Sequence, residues 1–171
     1  MIEEPPQLDY RIGIGTDIHI LVPNRPLMLG GVHVPFPAGL RAHSDGDVVL
    51  HALIDALLGA AGMGDIGTVF PDADPAFKDA DSKGLLLDVK EQLEQKRWQV
   101  VNVDVTIHLE KPRLESHKGQ IKRSIASLLG MDFAAVNVKA KTNEGLDAIG
   151  RGEAIGATAT ALLHLKYKRS L

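Results

Sequence analysis

Residues 101–109 read Val-Asn-Val-Asp-Val-Thr-Ile-His-Leu, with an apolar side chain at every second position and a polar one between. Successive side chains of a strand point to opposite faces, so the run predicts a strand with one buried face. Helical patterns flank it on both sides. Upstream, Leu85, Leu86, Val89 and Leu93 share one helical face behind Ser82, the expected cap. Downstream, Ile121, Ile125, Leu128 and Leu129 recur at helical spacing over about Glu115 to Leu129, and Gly130 closes that helix. Further out, Ser44, Asp45 and Asp47 offer caps for a helix from about Asp47 to Ala61. Its apolar residues are Val48, Ala52, Leu53, Ala56 and Leu57. Strands are expected at Arg11–Ile20, in a hairpin from Leu27 to Val34 around Gly30-Gly31, and at Val136–Thr142. Ala154–Lys166 is read as a final strand, although its alanines leave a helix open. Gly62–Asp81 reads as a loop. Helices interleaved with strands imply an α+β sandwich with helices on one face of one sheet. The other face would carry Gly156, Ala157, Thr158 and Ala159, small residues suited to packing against other subunits. Residues 1–10 are expected to be a flexible extension and residues 11–171 one domain.

Composition narrows the function. Of 171 residues, 44% are hydrophobic and 24% charged, close to the globular average. A net charge of −3 gives no electrostatic case for nucleic acid or a membrane surface. The absence of cysteine excludes disulfides and thiolate metal sites, and leaves His and carboxylate as metal donors. No apolar run is long enough to span a bilayer, and Met1 to Tyr10 lacks the basic-then-apolar pattern of a signal peptide, so the expected location is the cytoplasm.

The chemistry concentrates in short runs. Asp17 and His19 lie two apart on a predicted strand and project from the same face about 7 Å apart at the Cα atoms, which suits two ligands of one metal or a simple Asp–His pair. His51 shares a helical stripe with Asp47 and Asp55; metal ligation would explain it, with an Asp as its orienter. Two histidines and a carboxylate with an open position form the pattern of a catalytic zinc. His43-Ser44 precedes a helix N-terminus and could cap it or receive an anion. Asp65-Ile66-Gly67 and Phe70-Pro71-Asp72-Ala73-Asp74 belong to an acidic loop that could bind sugar hydroxyls or metals, or be a surface turn. Lys139 to Gly145 offers cations, a hydroxyl, an amide and a carboxylate at a strand end. Gly150-Arg151-Gly152 lacks the further glycine and helix of a dinucleotide fingerprint.

These pieces occur in a particular order: Gly13-x-Gly15-x-Asp17-x-His19, then His43-Ser44-Asp45-Gly46-Asp47-x-x-x-His51-Ala52-x-x-Asp55, then Gly64-Asp65-Ile66-Gly67, Phe70-Pro71-Asp72, Asn102-x-Asp104, Lys139-Ala140-x-Thr142-x-Glu144 and Gly150-Arg151-Gly152-Glu153. The ordered set resembles the 2-C-methyl-D-erythritol 2,4-cyclodiphosphate synthase family from about Arg11 to Lys166. The length resembles the stand-alone enzyme rather than a bifunctional one. The resemblance implies a ferredoxin-like two-layer sandwich with one mixed sheet, assembled as a homotrimer with sheets facing the three-fold axis and sites between subunits. It also implies a reaction: the 2-phosphate of 4-diphosphocytidyl-2-C-methyl-D-erythritol 2-phosphate attacks the β-phosphorus, CMP leaves and a cyclic diphosphate forms in the non-mevalonate isoprenoid pathway.

On this resemblance Asp17, His19 and His51 would hold zinc, and Glu144 a second ion, magnesium or manganese, with the phosphates. His43 and Thr142 would position the transferred phosphoryl group, with Ser44 beside them. Asp65, Ile66 and Gly67 would hold the erythritol, under a flap of Phe70, Pro71, Asp72, Ala73 and Asp74. The cytidine pocket maps onto Leu109, Glu110, Lys111, Pro112, Arg113, Leu114 and Glu115, completed by Ala140, Lys141 and Asn143. Ile18, Ala148 and Arg151 are further expected substrate contacts, and Arg151 and Glu153 would line the trimer channel. Three departures stand out: Lys141 replaces a common Thr, Asp147-Ala148 a common Gly-Phe, and Glu110-Lys111 is more charged than usual. A phosphate monoester is mostly a dianion at neutral pH, so its attack needs cations more than a base. A metal-dependent phosphohydrolase and a non-catalytic trimer binding nucleotides or isoprenoid diphosphates are the competing readings.

Overall fold

The computed structural model describes residues 10–71, 74 and 80–166. In order they form β1 (Tyr10–Pro23), β2 (Leu27–Leu29), β3 (Val32–Val34), β4 (Ala38–Leu40), α1 (Val48–Ala61), α2 (Ile66–Val69), α3 (Ser82–Gln95), β5 (Trp98–His108), α4 (Lys118–Leu129), β6 (Val136–Lys141), α5 (Asp147–Gly150) and β7 (Ala154–Leu165). The main sheet is mixed and runs β4-β1-β7-β5-β6, with only β5 and β6 parallel. One mixed sheet is thus found as expected, and β2 and β3 form the expected hairpin as a separate two-stranded sheet. The expected loop over Gly62–Asp81 contains the short α2, and Tyr10, assigned to the extension, already pairs with His164 in β1.

β1 and α1 meet more closely than side chains would allow. A Cβ on Gly13 would collide with the Ala56 carbonyl oxygen and lie 2.6 Å from the Ala60 nitrogen. One on Gly15 would collide with the Ala52 carbonyl oxygen and lie 2.6 Å from the Ala56 nitrogen. Glycine on the strand and alanine on the helix thus bring the two backbones into contact. Gly13, Gly15, Asp17 and His19 share the face of β1 that meets α1. The other face of β1 presents Ile12, Ile14, Ile18 and Ile20, between 56% and 82% exposed.

Asp47 fixes where α1 begins. Its Oδ1 accepts from Val49 N and Leu50 N, both 3.1 Å, as an N-cap, and also from Gly30 N at 2.8 Å, while Oδ2 accepts from Gly31 N at 2.6 Å. One buried carboxylate therefore ties the β2–β3 turn to the helix. Gly30 and Gly31 take positive φ there, as the tight turn requires. Burial pushes the Asp47 carboxyl up, and the backbone N–H bonds oppose that. Its removal would leave buried donors unpaired, at about 1–3 kcal/mol each.

The central strand is displaced at one end. Val103, Val105, Ile107 and Leu109 are buried as the alternation predicts, but a register shift between Val100 and Asn102 turns Val101 out to 38% exposure. On β7, Ala157 and Ala159 face the helices, and the uncovered face carries Gly156, Thr158, Thr160 and Leu162, which corrects half of the expected small-residue patch. α4 starts at Lys118, not Glu115, and ends on left-handed Gly130. α3 is capped by Asp81, whose side chain accepts from Lys83 N, and the expected cap Ser82 is its first helical residue.

Gly15→Ala is expected to force β1 off α1 at a cost of about 3 kcal/mol, the upper end of overpacking effects. Chemical denaturation of the two proteins checks it, and equal stability would contradict the close packing.

Candidate metal centre

Asp17 and His19, two apart on β1, reach past the glycine contact to the first turns of α1, where His51 projects back. Three donor atoms meet. Asp17 Oδ2 lies 2.9 Å from His19 Nε2 and 3.0 Å from His51 Nδ1, and the two ring nitrogens are 3.1 Å apart. A tetrahedral ion with bonds of about 2.0–2.1 Å separates its ligands by about 3.3 Å, so the triangle is nearly that of a bound divalent cation. The two rings stand edge to face, at 88°. Both aim a nitrogen at the carboxylate. Among the described residues this is the one cluster of His, Asp and Glu whose donor atoms converge in this way.

The remaining polar atoms are satisfied in a way that leaves the donors free to face an ion. Asp17 Oδ1 accepts from Ile18 N at 2.8 Å. His51 Nε2 meets Ser82 Oγ at 2.9 Å and Ser44 Oγ at 3.1 Å. Burial alone would raise the Asp17 carboxyl, but hydrogen bonds and charge from His19 and His51 overcome it and hold it well below the usual carboxylate range. Burial alone would lower His51, and Asp17 raises it above the ordinary imidazole value. The expected orienter of His51, an Asp on its own helical stripe, is not found. Asp47 turns to backbone donors, and Asp55 accepts from Ile66 N at 2.7 Å.

The cluster opens into a cleft of about 260 Å³ lined also by His43, Ser44, Asp55, Ile66, Gly67 and Phe70. Among the described residues, no Lys or Arg lines it. The chain itself thus presents carboxylates and imidazoles to the cleft, and a cation would supply the positive charge that a phosphate needs. Larger concavities elsewhere lack any such convergence: one of about 510 Å³ lies at the other end of β1, by Tyr10, Trp98 and His164.

The other expected residues fall in two groups. Near the cleft, Asp65 caps α2, with its Oδ1 taking Thr68 N at 2.8 Å and Thr68 Oγ1 at 2.7 Å. Phe70 is buried, Pro71 is exposed and accepts from Asp74 N at 2.9 Å, while Asp72 and Ala73 lie outside the described residues. Ile18 sits on the opposite face of β1.

The second group follows β5 and β6 in the chain and runs up to the start of β7. Leu109 N donates to Lys141 O at 2.9 Å, so the two runs expected around cytidine are neighbours. Leu109 and Leu114 are buried, and the Lys111–Pro112 bond is cis. Glu110 Oε1 accepts from Asn143 N at 2.9 Å and holds the next loop. Arg113 and Glu115 are exposed, and Ala140 and Ala148 are half-buried. Thr142 Oγ1 donates to Glu144 Oε1 at 2.8 Å. Arg151 and Glu153 form an exposed two-pronged ion pair at 3.0 and 2.9 Å. Lys139 points to the uncovered face and pairs with Asp104 at 2.6 Å.

Within one chain Glu153 borders β1, its carbonyl accepting from Leu21 N at 2.8 Å, whereas the Lys141 end of β6 lies away from the metal cluster. Ile18, Gly156, His108 and Lys141 form one row across β1, β7, β5 and β6. That row is three strand spacings, about 14 Å.

The fold and this donor set define an α+β protein with a cluster of three donors that could hold a metal ion. The model of the YgbB family matches residues 10–164, and the chain belongs to that family. It is 53% identical over 154 residues to the 2-C-methyl-D-erythritol 2,4-cyclodiphosphate synthase of Bordetella petrii, covering 90% of this chain and 95% of that one. It is 53% identical over 155 residues to the same enzyme of Neisseria gonorrhoeae, covering 91% and 97%. Among solved structures, a CDP-bound 2C-methyl-D-erythritol-2,4-cyclodiphosphate synthase superposes with a TM-score of 0.83 at 38% identity, over 90% of this chain and 99% of that one. The bifunctional IspDF from Campylobacter jejuni gives 0.90 at 40%; 94% of this chain is covered, and it spans 44% of that protein.

His51→Ala is expected to bring zinc per chain, measured by elemental analysis after dialysis, close to zero while circular dichroism stays unchanged. A zinc-replete variant would contradict the three-donor site.

Proposed function

We infer that the chain is a phosphorus–oxygen lyase of the non-mevalonate route to isoprenoid precursors. It converts 4-diphosphocytidyl-2-C-methyl-D-erythritol 2-phosphate into 2-C-methyl-D-erythritol 2,4-cyclodiphosphate and releases CMP. The observation that carries this reading is the convergence of Asp17, His19 and His51 beside His43 and Ser44, in a chain 53% identical to synthases of that name.

The chemistry follows from charge. The attacking 2-phosphate is mostly dianionic at neutral pH, so no residue has to take a proton from it. Two unit charges 4 Å apart repel by about 4 kcal/mol at an effective dielectric of ~20, and several such pairs face each other when phosphate approaches diphosphate. Asp17, His19 and His51 would hold zinc, and Glu144 a magnesium or manganese ion. Bound there, divalent cations neutralise phosphate oxygens and polarise the phosphorus under attack. His43, Ser44 and Thr142 orient the phosphoryl groups by hydrogen bonding, and Asp65, Ile66 and Gly67, with the Phe70–Asp74 segment, hold the erythritol. Leu109–Glu115 with Ala140–Asn143 receives the cytidine. Because Leu109 and Leu114 are buried and Glu110 is engaged with the next loop, this recognition falls to the backbone and to Lys111, Arg113 and Lys141.

We further propose a homotrimer in which the two groups of residues come from neighbouring chains. The support is the strand count: a gap of about 14 Å inside one chain is too wide for one diphosphate to bridge. The uncovered face, apolar along β1 and charged along β5 and β6, is suited to head-to-tail closure about a three-fold axis. Arg151 and Glu153 would line its channel, and Asp147-Ala148 narrows the case for a hydrophobic guest there.

Phosphorus NMR of the purified protein with the diphosphocytidyl substrate is expected to show cyclic diphosphate and CMP, and neither after EDTA. Inorganic phosphate would indicate the hydrolase, and binding without turnover the non-catalytic trimer. Light scattering is expected to give three times the 18.4 kDa chain mass; a monomer that turns over substrate would refute the shared site.

A further inference from the structure

We propose that Ser82, held by Asp45, is the positioning residue that turns His51 for metal ligation, an inference that rests on the metal-binding reading of the Asp17–His19–His51 cluster. Ser82 is fully buried at the first position of α3. A serine in that place commonly caps its helix, but Asp81 performs the capping here, and the Ser82 hydroxyl is used elsewhere. Its Oγ donates to Asp45 Oδ1 at 2.5 Å. A serine has one hydroxyl proton. Toward His51 Nε2, 2.9 Å away, Ser82 can therefore only accept. His51 must carry its proton on Nε2, which leaves the Nδ1 lone pair aimed at the point shared with Asp17 and His19. Ser44 Oγ, at 3.1 Å from the same nitrogen, already accepts from Gly46 N and assists at longer range.

Asp45 is itself immobilised. Its carboxylate accepts from Asp47 N at 3.1 Å and Ser82 N at 3.2 Å, and its own N–H donates to Ala80 O at 3.1 Å. The start of α1 and the start of α3 thus share one carboxylate, the backbone of the same residue holds the chain leading into α3, and that carboxylate sets the tautomer of the buried ligand. A relay of this kind raises ligand basicity and fixes ring orientation, and losing it costs about 10–100-fold in metal affinity.

Zinc affinity, read by competition with a chromophoric chelator, tests this on the full chain. Ser82→Ala is expected to weaken zinc about 10–100-fold, and Asp45→Asn in the same direction. Asp81→Ala removes the cap of the same helix and serves as the structural control, expected to lower the thermal midpoint in EDTA while leaving zinc affinity at the parent value. Parent affinity in Ser82→Ala overturns the proposal, as does an equal loss in Asp81→Ala, which would make the effect a loosening of α3. Should Ser82→Ala not fold, Asp45→Asn decides by the same criterion. A parent protein that binds no zinc overturns the metal-binding reading instead.

Discussion

Where β1 meets α1, the contact is backbone against backbone. At Gly13 and Gly15 the strand carries no side chain, at Ala52, Ala56 and Ala60 the helix carries little, and α1 settles directly onto β1. Everything at the metal centre depends on that approach. Asp and His side chains are short, and from a helix at an ordinary distance above a sheet, about 10 Å, the three donors would not close to within 3.1 Å of one another. The motif Gly-x-Gly-x-Asp-x-His is therefore one device. The glycines set the spacing, and the next two residues on the same face use it.

The electrostatics follow from the same closeness. Asp17, Asp45, Asp47 and Asp55 crowd the start and middle of α1, and each is held by specific donors: Asp17 Oδ1 by Ile18 N, Asp45 by Ser82 and Asp47 N, Asp47 by four backbone N–H groups, Asp55 by Ile66 N. Such a region would repel phosphates. It serves a phosphoryl-transfer reaction only if the acidic donors hold cations, whose charge then faces the substrate. The lining of the cleft fits this division, since its described residues supply ligands and hydrogen-bonding groups and no basic side chain.

Much of this could be read from the chain, and the exceptions share a cause. Alternation in 101–109 and helical spacing in 48–61, 85–93 and 121–129 located the layers because each element buries one face. Asp17 and His19 were paired by strand periodicity. What periodicity could not supply was anything set by a partner distant in sequence. Val101 faces outward because the β5–β7 ladder slips by one residue, and no local pattern announces that slip. Asp47 looked like one of several caps, and its second task, closing the Gly30-Gly31 turn, is visible only in three dimensions. Ser82 was read as a cap by its residue type, while the neighbouring Asp81 took that role and freed Ser82 for His51. Glycine at every second position of β1 is visible in the sequence, but the spacing alone does not name the helix that settles against it.

The sheet order carries the last step. In one chain the imidazole–carboxylate centre hangs from β1, and the Thr142–Glu144 loop follows β6 at the far side of the same sheet. Each cluster is internally finished: the first by its serines and Asp45, the second by the Glu110 carboxylate that anchors Asn143. Neither needs the other to be stable, so their separation is a property of the fold and not a defect of packing. A substrate with phosphates at one end and a cytidine at the other has corresponding needs, metal donors for the first and a backbone-lined loop for the second. β1 and β6 are separated by β7 and β5, so in the homotrimer proposed above a neighbouring copy would bring the two together. On that proposal the exposed isoleucines of β1 and the charged rows of β5 and β6 would belong to the active site's construction, because they would fix how a neighbour is seated.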